Sequence, residues 1–453
     1  MFMALLDVSI TNVALPSIAA GTGASTSQLQ WVVSGYTLSL GMVPVLAGRL
    51  GDDHGRRRMF QIGVGGFALT SAFAGLAPTA ELLIAMRVLQ GAFAGLVNPQ
   101  TSGLIQQMFR GADRGRAFGF LGLTVGVSTA VGPVLGGALI ALGGPDLGWR
   151  LIFFLNVPIG IAIAVLAQRH LPVAVAGTRQ RLDVVGALML GLATFCVLFA
   201  CVQFDAARDG RLIALVIAAA VVGVLFYRRE RRLTDADADP LVDLRLFRNP
   251  SYVAGIAQAL LFFPASAGLP LVLAIYYQDG LGYTPLQSGL GVTAYAVGAA
   301  IAAPLSGRVV TRVGRPLVVA GAIAFGVGAV LLAVIASHAP AEHVALALSG
   351  PLFVMGCGQG MLISPNQTLA LMEVDPRMGS TAGGVLQTGQ RIGIAFGQAF
   401  IGAVFFTALV GSSKEDYSAA LSAAVVAAVV LISLAIAFGV QDVLRTRRRI
   451  ARA

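Results

Sequence analysis

The chain has 453 residues, 57% of them hydrophobic and only 11% charged, whereas a soluble domain carries about 25% charged residues. Water cannot be its main solvent, and apolar runs of spanning length recur throughout, so the composition points to an all-α polytopic membrane protein. The net charge of +10 does not indicate nucleic-acid binding, because the arginines stand in short clusters between apolar runs, where they set membrane orientation.

The first run, 1–20, is just long enough to span about 30 Å as a helix. It lacks the basic start of a secretory signal, and a start this abrupt is also what a missing short tail would leave. Asp7 sits inside it. The next runs are 28–47, 58–77 and 80–106, and Arg87 lies inside the last of these. A charge at bilayer depth costs about 2.5–3.5 kcal/mol on insertion scales and usually faces a cavity or a partner. An acid in an apolar helix can take up a proton near neutral pH, and an arginine beside it would compete with that proton. Asp7 and Arg87 are therefore the proton-coupling candidates. A static ion pair that fixes packing is the other reading, and sequence spacing does not show that the two meet.

Between the second and third runs lies GRLGDDHGRRR, 48–58. Asp52 follows a helix end, Gly55 turns the chain, and Arg56, Arg57 and Arg58 lie beyond. A carboxylate there can pair with arginine and favour a helix N-terminus, in contacts that form in one conformation and break in another. Gly48, Asp52, Gly55, Arg56 and Arg57 form this candidate gating loop; a simple basic corner is the plainer alternative. The fifth run, 117–142, carries Gly119, Gly132, Pro133, Gly136 and Gly137. Small residues let helices approach closely and proline weakens a backbone bond, which suits a bending, sliding helix.

Runs at 149–171, 183–204 and 210–227 follow. Residues 228–249 are the longest polar stretch and the natural seam. The remaining runs are 250–277, 285–306, 315–337, 343–370, 380–409 and 418–440, which makes fourteen. GRVVTRVGRP, 307–316, repeats the Gly-Arg corner of 48–58 after the tenth run, with Thr311 in place of Asp52. Two six-helix bundles, 1–172 and 250–453, then flank two inserted helices and a linker, 173–249. About 25 of the 31 basic residues fall on one side, including Arg179, Arg181 and the tail 445–453. That side is expected to be cytoplasmic, with both termini there. The opposite loops carry only Arg150, Arg208, Arg211 and Lys414.

Cys196, Cys201 and Cys357 and the four histidines show neither metal spacing nor a disulfide pattern, so no metal or cofactor is expected. Arg391, on the thirteenth run, has no certain depth and sits close to the cytoplasmic end on one reading. The cavity is expected to be apolar and aromatic, with Trp31, Tyr36, Gln90, Phe93, Asn156, Tyr295, Gln387 and Arg391 as lining candidates and Phe262, Phe263, Tyr276 and Phe353 as further aromatics. One mid-membrane acid favours neutral or monocationic lipophiles as substrates.

The sequence resembles the fourteen-helix drug:proton antiporter family of the major facilitator superfamily. LDVSITNVALP (6–16) looks like its first-helix signature and 48–58 like its cytoplasmic loop motif. LIAMRVLQG matches the fourth-helix motif at Leu83, Arg87, Gln90 and Gly91. The fifth-run glycines match the antiporter motif, and WRLIFFLNVPIG (149–160) matches the sixth-helix signature. Asp53 stands where the family is usually basic, and Ser128 where it often has glycine. The resemblance implies a major facilitator fold with two extra central helices. It also implies proton-coupled export of amphipathic molecules across the cytoplasmic membrane by a monomer whose partners are lipid, protons and small substrates. A same-fold carrier dedicated to one physiological substrate, such as a lipid, amino acid or self-made antibiotic, is the alternative. A non-transporting sensor or scaffold is the second.

Overall fold

The computed structural model describes residues 1–172, 183–202, 210–236, 238–340, 343–411 and 413–450. The expected boundary at 172/173, Arg179, Arg181, Arg208, Arg452 and the side chains of Pro133, Arg211 and residues 445–450 lie outside the described residues. We number the helices by span: α1 (Phe2–Thr22), α2 (Ser27–Met42 and Pro44–His54, bent by 47°), α3 (Arg56–Leu76) and α4 (Ala80–Met108). Next come α5 (111–144), α6 (Asp146–His170), α7 (Val184–Val202) and α8 (Leu212–Asp235). The second bundle holds α9 (Pro250–Gly280), α10 (Gln287–Val313), α11 (Arg315–His338), α12 (Val344–Met372), α13 (Pro376–Ala408) and α14 (Lys414–Leu444).

Among the described residues, twelve helices are long and apolar enough to cross a membrane, and the bent pair forming α2 adds a thirteenth. The fourteenth expected run falls in α5, which continues into α6 through a break at Gly144, where φ is 68°. Glycine, serine and threonine thin the apolar content of α5, and its described apolar part is Val134–Gly144.

Local chemistry places the breaks. At the start of α2 the Ser25 N–H donates to Gln28 Oε1 and the Gln28 N–H to Ser25 Oγ, a capping box. Pro44, which has no N–H to continue the ladder, sits at the bend of α2. The repeated corners both turn on a glycine with positive φ, Gly55 at 94° and Gly314 at 69°, a region closed to most side chains.

In the first bundle α1 packs on α5, α2 on α4, and α3 on α4 and α6; in the second, α9 packs on α13 and α14, α10 on α12, and α11 on α12 and α14. Lipid gives no hydrophobic drive between helices, so close backbone approach takes its place. A Cβ at Gly91 would lie 2.2 Å from the Tyr36 carbonyl oxygen, and one at Gly356 would lie 2.0 Å from that of Tyr295. Of the inserted pair, α8 is peripheral, with 6% of its apolar window buried. α7 leans on α2 and α13, one helix from each bundle. Trp31 stacks on Phe199 at 5.9 Å.

Candidate functional site

Asp7 and Arg87 meet. Both are 1% exposed, and Arg87 Nη1 donates to Asp7 Oδ2. The other carboxylate oxygen accepts from Gln90 Nε2 at 3.1 Å and from Asn156 Nδ2 at 2.8 Å. Arg87 also donates to Gln90 Oε1 at 2.7 Å and to the Val32 carbonyl at 3.2 Å. Its guanidinium lies 4.2 Å from the centre of the Tyr36 ring. Asn156 reaches on to Ser71 Oγ at 3.1 Å, and Tyr36 donates to the Ala4 carbonyl. Helices α1, α2, α3, α4 and α6 thus converge on one carboxylate. A buried charge is tolerable only when paired and hydrogen-bonded, and here the acceptor sites of Asp7 are filled without any group from the second bundle. Protonating Asp7 would remove the charge that holds Arg87 and leave the guanidinium in search of another partner.

A second ionic site closes the arginine-rich face. Asp52 accepts from Arg56 Nε at 3.0 Å and Nη2 at 2.8 Å. It also accepts from the backbone N–H of Ser380 at 3.2 Å and of Thr381 at 2.8 Å, and from Thr381 Oγ1 at 2.9 Å. The carboxylate from the first bundle therefore caps the N-terminal turn of α13 in the second, where the helix dipole favours negative charge. Arg56 completes the crossing by donating to the Pro376 carbonyl, and holds its own bundle through the Gly103 carbonyl at 2.7 Å. Gln106 donates to the Leu371 carbonyl at 2.8 Å, and Gln387 to Ser102 Oγ at 3.2 Å. Gly48 lets the backbones close: a Cβ there would lie 2.4 Å from the Ser380 carbonyl. Arg57 instead staples α3 to the end of α6, through the carbonyls of Leu171 and Gln168. Asp53 pairs with Arg49 at 3.3 Å. In the repeated corner, Arg315 is held within its own bundle by Asp442 at 2.9 Å, Asn366 and Ser251.

The glycines of α5 divide by depth. Gly115 and Gly119 abut Gly307 and Pro304 of α10, across the bundle boundary, whereas Gly132 and Gly136 abut Ser9 and Ile10 of α1. A Cβ at Gly137 meets nothing within 4 Å.

A family model described as Major Facilitator Superfamily matches residues 1–398, and again 254–452. The chain belongs to the major facilitator superfamily. Among its relatives, a Streptomyces coelicolor protein named "Probable actinorhodin transporter" is 35% identical over 412 residues, 90% of this chain and 71% of the relative. The multidrug resistance protein Stp of Mycobacterium tuberculosis is 31% identical, over 89% of this chain and 74% of its own length. The solved proton:xylose symporter XylE shares the fold, with a TM-score of 0.64 at 16% identity, covering 95% of this chain and 92% of XylE.

Within this major facilitator fold the expected lining residues scatter. Tyr36, Gln90 and Asn156 belong to the Asp7 cluster. The Phe93 ring packs over Gly66 of α3, inside the first bundle. Tyr295 lies edge-on to Phe325 at 6.4 Å, inside the second. Phe262, Phe263 and Tyr276 are buried in core clusters, and Phe353 is exposed. Trp31 is covered on one side by α7, and Gln387 belongs to the seal. Arg391 lies about 18 Å along α13 from Gly379, at about 1.5 Å per residue. That is about midway along α13, which runs Pro376–Ala408. Ser71, Ser102, Ser380 and Thr381 were not singled out by sequence. Their only signal is that they are small polar residues on apolar helices.

Proposed function

We propose that the protein is a proton-coupled antiporter that exports lipophilic small molecules across the cytoplasmic membrane. The arginine-rich face and both termini then lie in the cytoplasm, and the working unit is the monomer. The observation that carries this reading is the Asp7 cluster, a buried carboxylate with its arginine competitor already in contact. The relative named for multidrug resistance supports the export direction, and the one named as an actinorhodin transporter supports a small-molecule substrate. They leave the broad and the dedicated reading as two forms of one mechanism. The seal at Asp52 and Arg56 supports a cycle in which the bundles rock: the closed arginine-rich face presents the cleft to the opposite side, and release of the Asp52 cap lets the cytoplasmic side open.

The monocationic preference expected from one mid-membrane acid loses its support, because Arg87 matches the charge of Asp7. Purified protein in proteoliposomes with an imposed pH gradient tests the proposal. Uphill movement of a lipophilic dye, coupled to proton counterflow, is expected. Movement indifferent to the pH gradient overturns the coupling.

A further inference from the structure

Among the described residues, Arg391 of α13 faces the first bundle without an acid partner. On α13, Ser380, Gly384 and Gln387 touch the first bundle, meeting Gly48, Pro44 and Ser102 respectively. Arg391 continues that face, one turn beyond Gln387 and two beyond Gly384, since residues three, four and seven apart share a helix side. It is therefore the first residue past the seal. The opposing α2 bends by 47° at this level. The Arg391 Cβ lies 3.6 Å from the position of a Cβ on Gly41, just before the bend. Arg391 is part-buried, and no hydrogen bond or ion pair joins it to an acid among the described residues. Asp7, the acid inside the first bundle, is held by Arg87, Gln90 and Asn156. The turn below adds unpartnered polar atoms, Gln387 Oε1 and Thr388 Oγ1, and Asn98 on α4, one turn from Ser102, has a free Oδ1.

We propose that Arg391 is a binding residue for substrates carrying an oxyanion, such as a carboxylate, sulfonate or phenolate on a lipophilic skeleton. A guanidinium is a planar donor fork that matches such groups in a two-bond contact. A lone cation midway along a helix of spanning length is costly until an anion joins it, and Asp7, already paired with Arg87, does not balance it. This inference names the substrate class of the proposed exporter and rests on that reading for transport, but binding tests it separately.

The probes are pyrene-1-sulfonate, 1-pyrenemethanol and 1-pyrenemethylammonium, which share one ring system and differ in charge. Their binding to the full chain in detergent is read by fluorescence anisotropy. The sulfonate should bind about tenfold or more tighter than the ammonium, from the strength of a hydrogen bond to a charged group. Arg391→Met should abolish that preference and leave the neutral alcohol within about twofold of wild type. Arg391→Lys keeps the charge without the fork; it should retain an intermediate preference and serves as reference if the methionine variant does not fold. Equal sulfonate affinity in wild type and in either variant overturns the proposal, as does tighter binding of the ammonium by wild type. Sulfonate that binds through Arg391 but is not driven by a pH gradient in vesicles sinks the antiport reading and spares this one.

Discussion

Asp52→Asn should shift the protein away from the state closed at the arginine-rich face. The asparagine keeps one acceptor oxygen but turns an NH2 group toward donors: the Arg56 guanidinium, the N–H groups of Ser380 and Thr381, and the Thr381 hydroxyl. Both side chains of the ion pair are less than a tenth exposed, so water does little to replace the lost charge. A hydrogen bond to a charged group contributes about 1.5–3 kcal/mol, and a carboxylate at a helix N-terminus about 0.3–2 kcal/mol. Losing one crossing bond and the dipole term costs the closed state about 2–4 kcal/mol, or roughly 30- to 1000-fold in its population. Spin labels at Arg58→Cys and Glu373→Cys, both exposed positions on that face, would report the gap between bundles by double electron–electron resonance. The short-distance population should shrink sharply and transport should fall, while membrane insertion is kept. An unchanged distance distribution with full transport would make Asp52 a local cap with no part in gating.

Asp7→Asn mimics a permanently protonated acid, so it should bind substrate in detergent yet fail to move it uphill against a pH-driven gradient; wild-type uphill transport would leave Asp7 a structural residue. Gly307→Val should block closure, because a Cβ there would lie 2.4 Å from the Gly115 carbonyl oxygen; the same spin-label pair should report an open arginine-rich face, and a normal closed population would refute the close-approach account. Asn156→Leu removes the donor to Asp7 and the link to Ser71. It should cost about 1.5–3 kcal/mol, read as a lower thermal unfolding temperature in detergent, and an unchanged temperature would show the contact to be dispensable.

Most of the spans and both corner positions were legible because apolar run length, arginine clustering and the repeated glycine turn are local signals; the exception is α5, whose apolar part shortens to Val134–Gly144. Asp7 and Arg87 were legible as charges out of place. Their meeting was not, because the pair spans 80 residues and nothing local records which faces converge. The full role of Asp52 was hidden for the same reason: its cap partner lies 328 residues away. Sequence showed the carboxylate beside its arginines, but not that the helix it caps belongs to the other bundle. The aromatic lining was least legible. In a membrane every face of a helix is apolar, so Phe93 or Tyr295 carries no mark of whether it faces lipid, core or cleft. Arg391 lacked a depth because glycine and glutamine around it blur where α13 begins.

The seat of α7 has a mechanical consequence. It touches α2 and α13 at once, and those two helices belong to the bundles that rotate against each other in the proposed cycle. Through Gly41 and Leu198, and through Trp31 and Phe199, the contact with α2 is apolar. Among the described residues no hydrogen bond or ion pair ties α7 to either neighbour. Its directional bond runs to α8 instead, where Arg229 grips Asp183 at 2.7 Å. A helix anchored to its own hairpin and resting on two moving surfaces through dispersion alone behaves as a sliding bearing. It can keep lipid tails out of the joint throughout the stroke without adding a bond that each turnover would have to break.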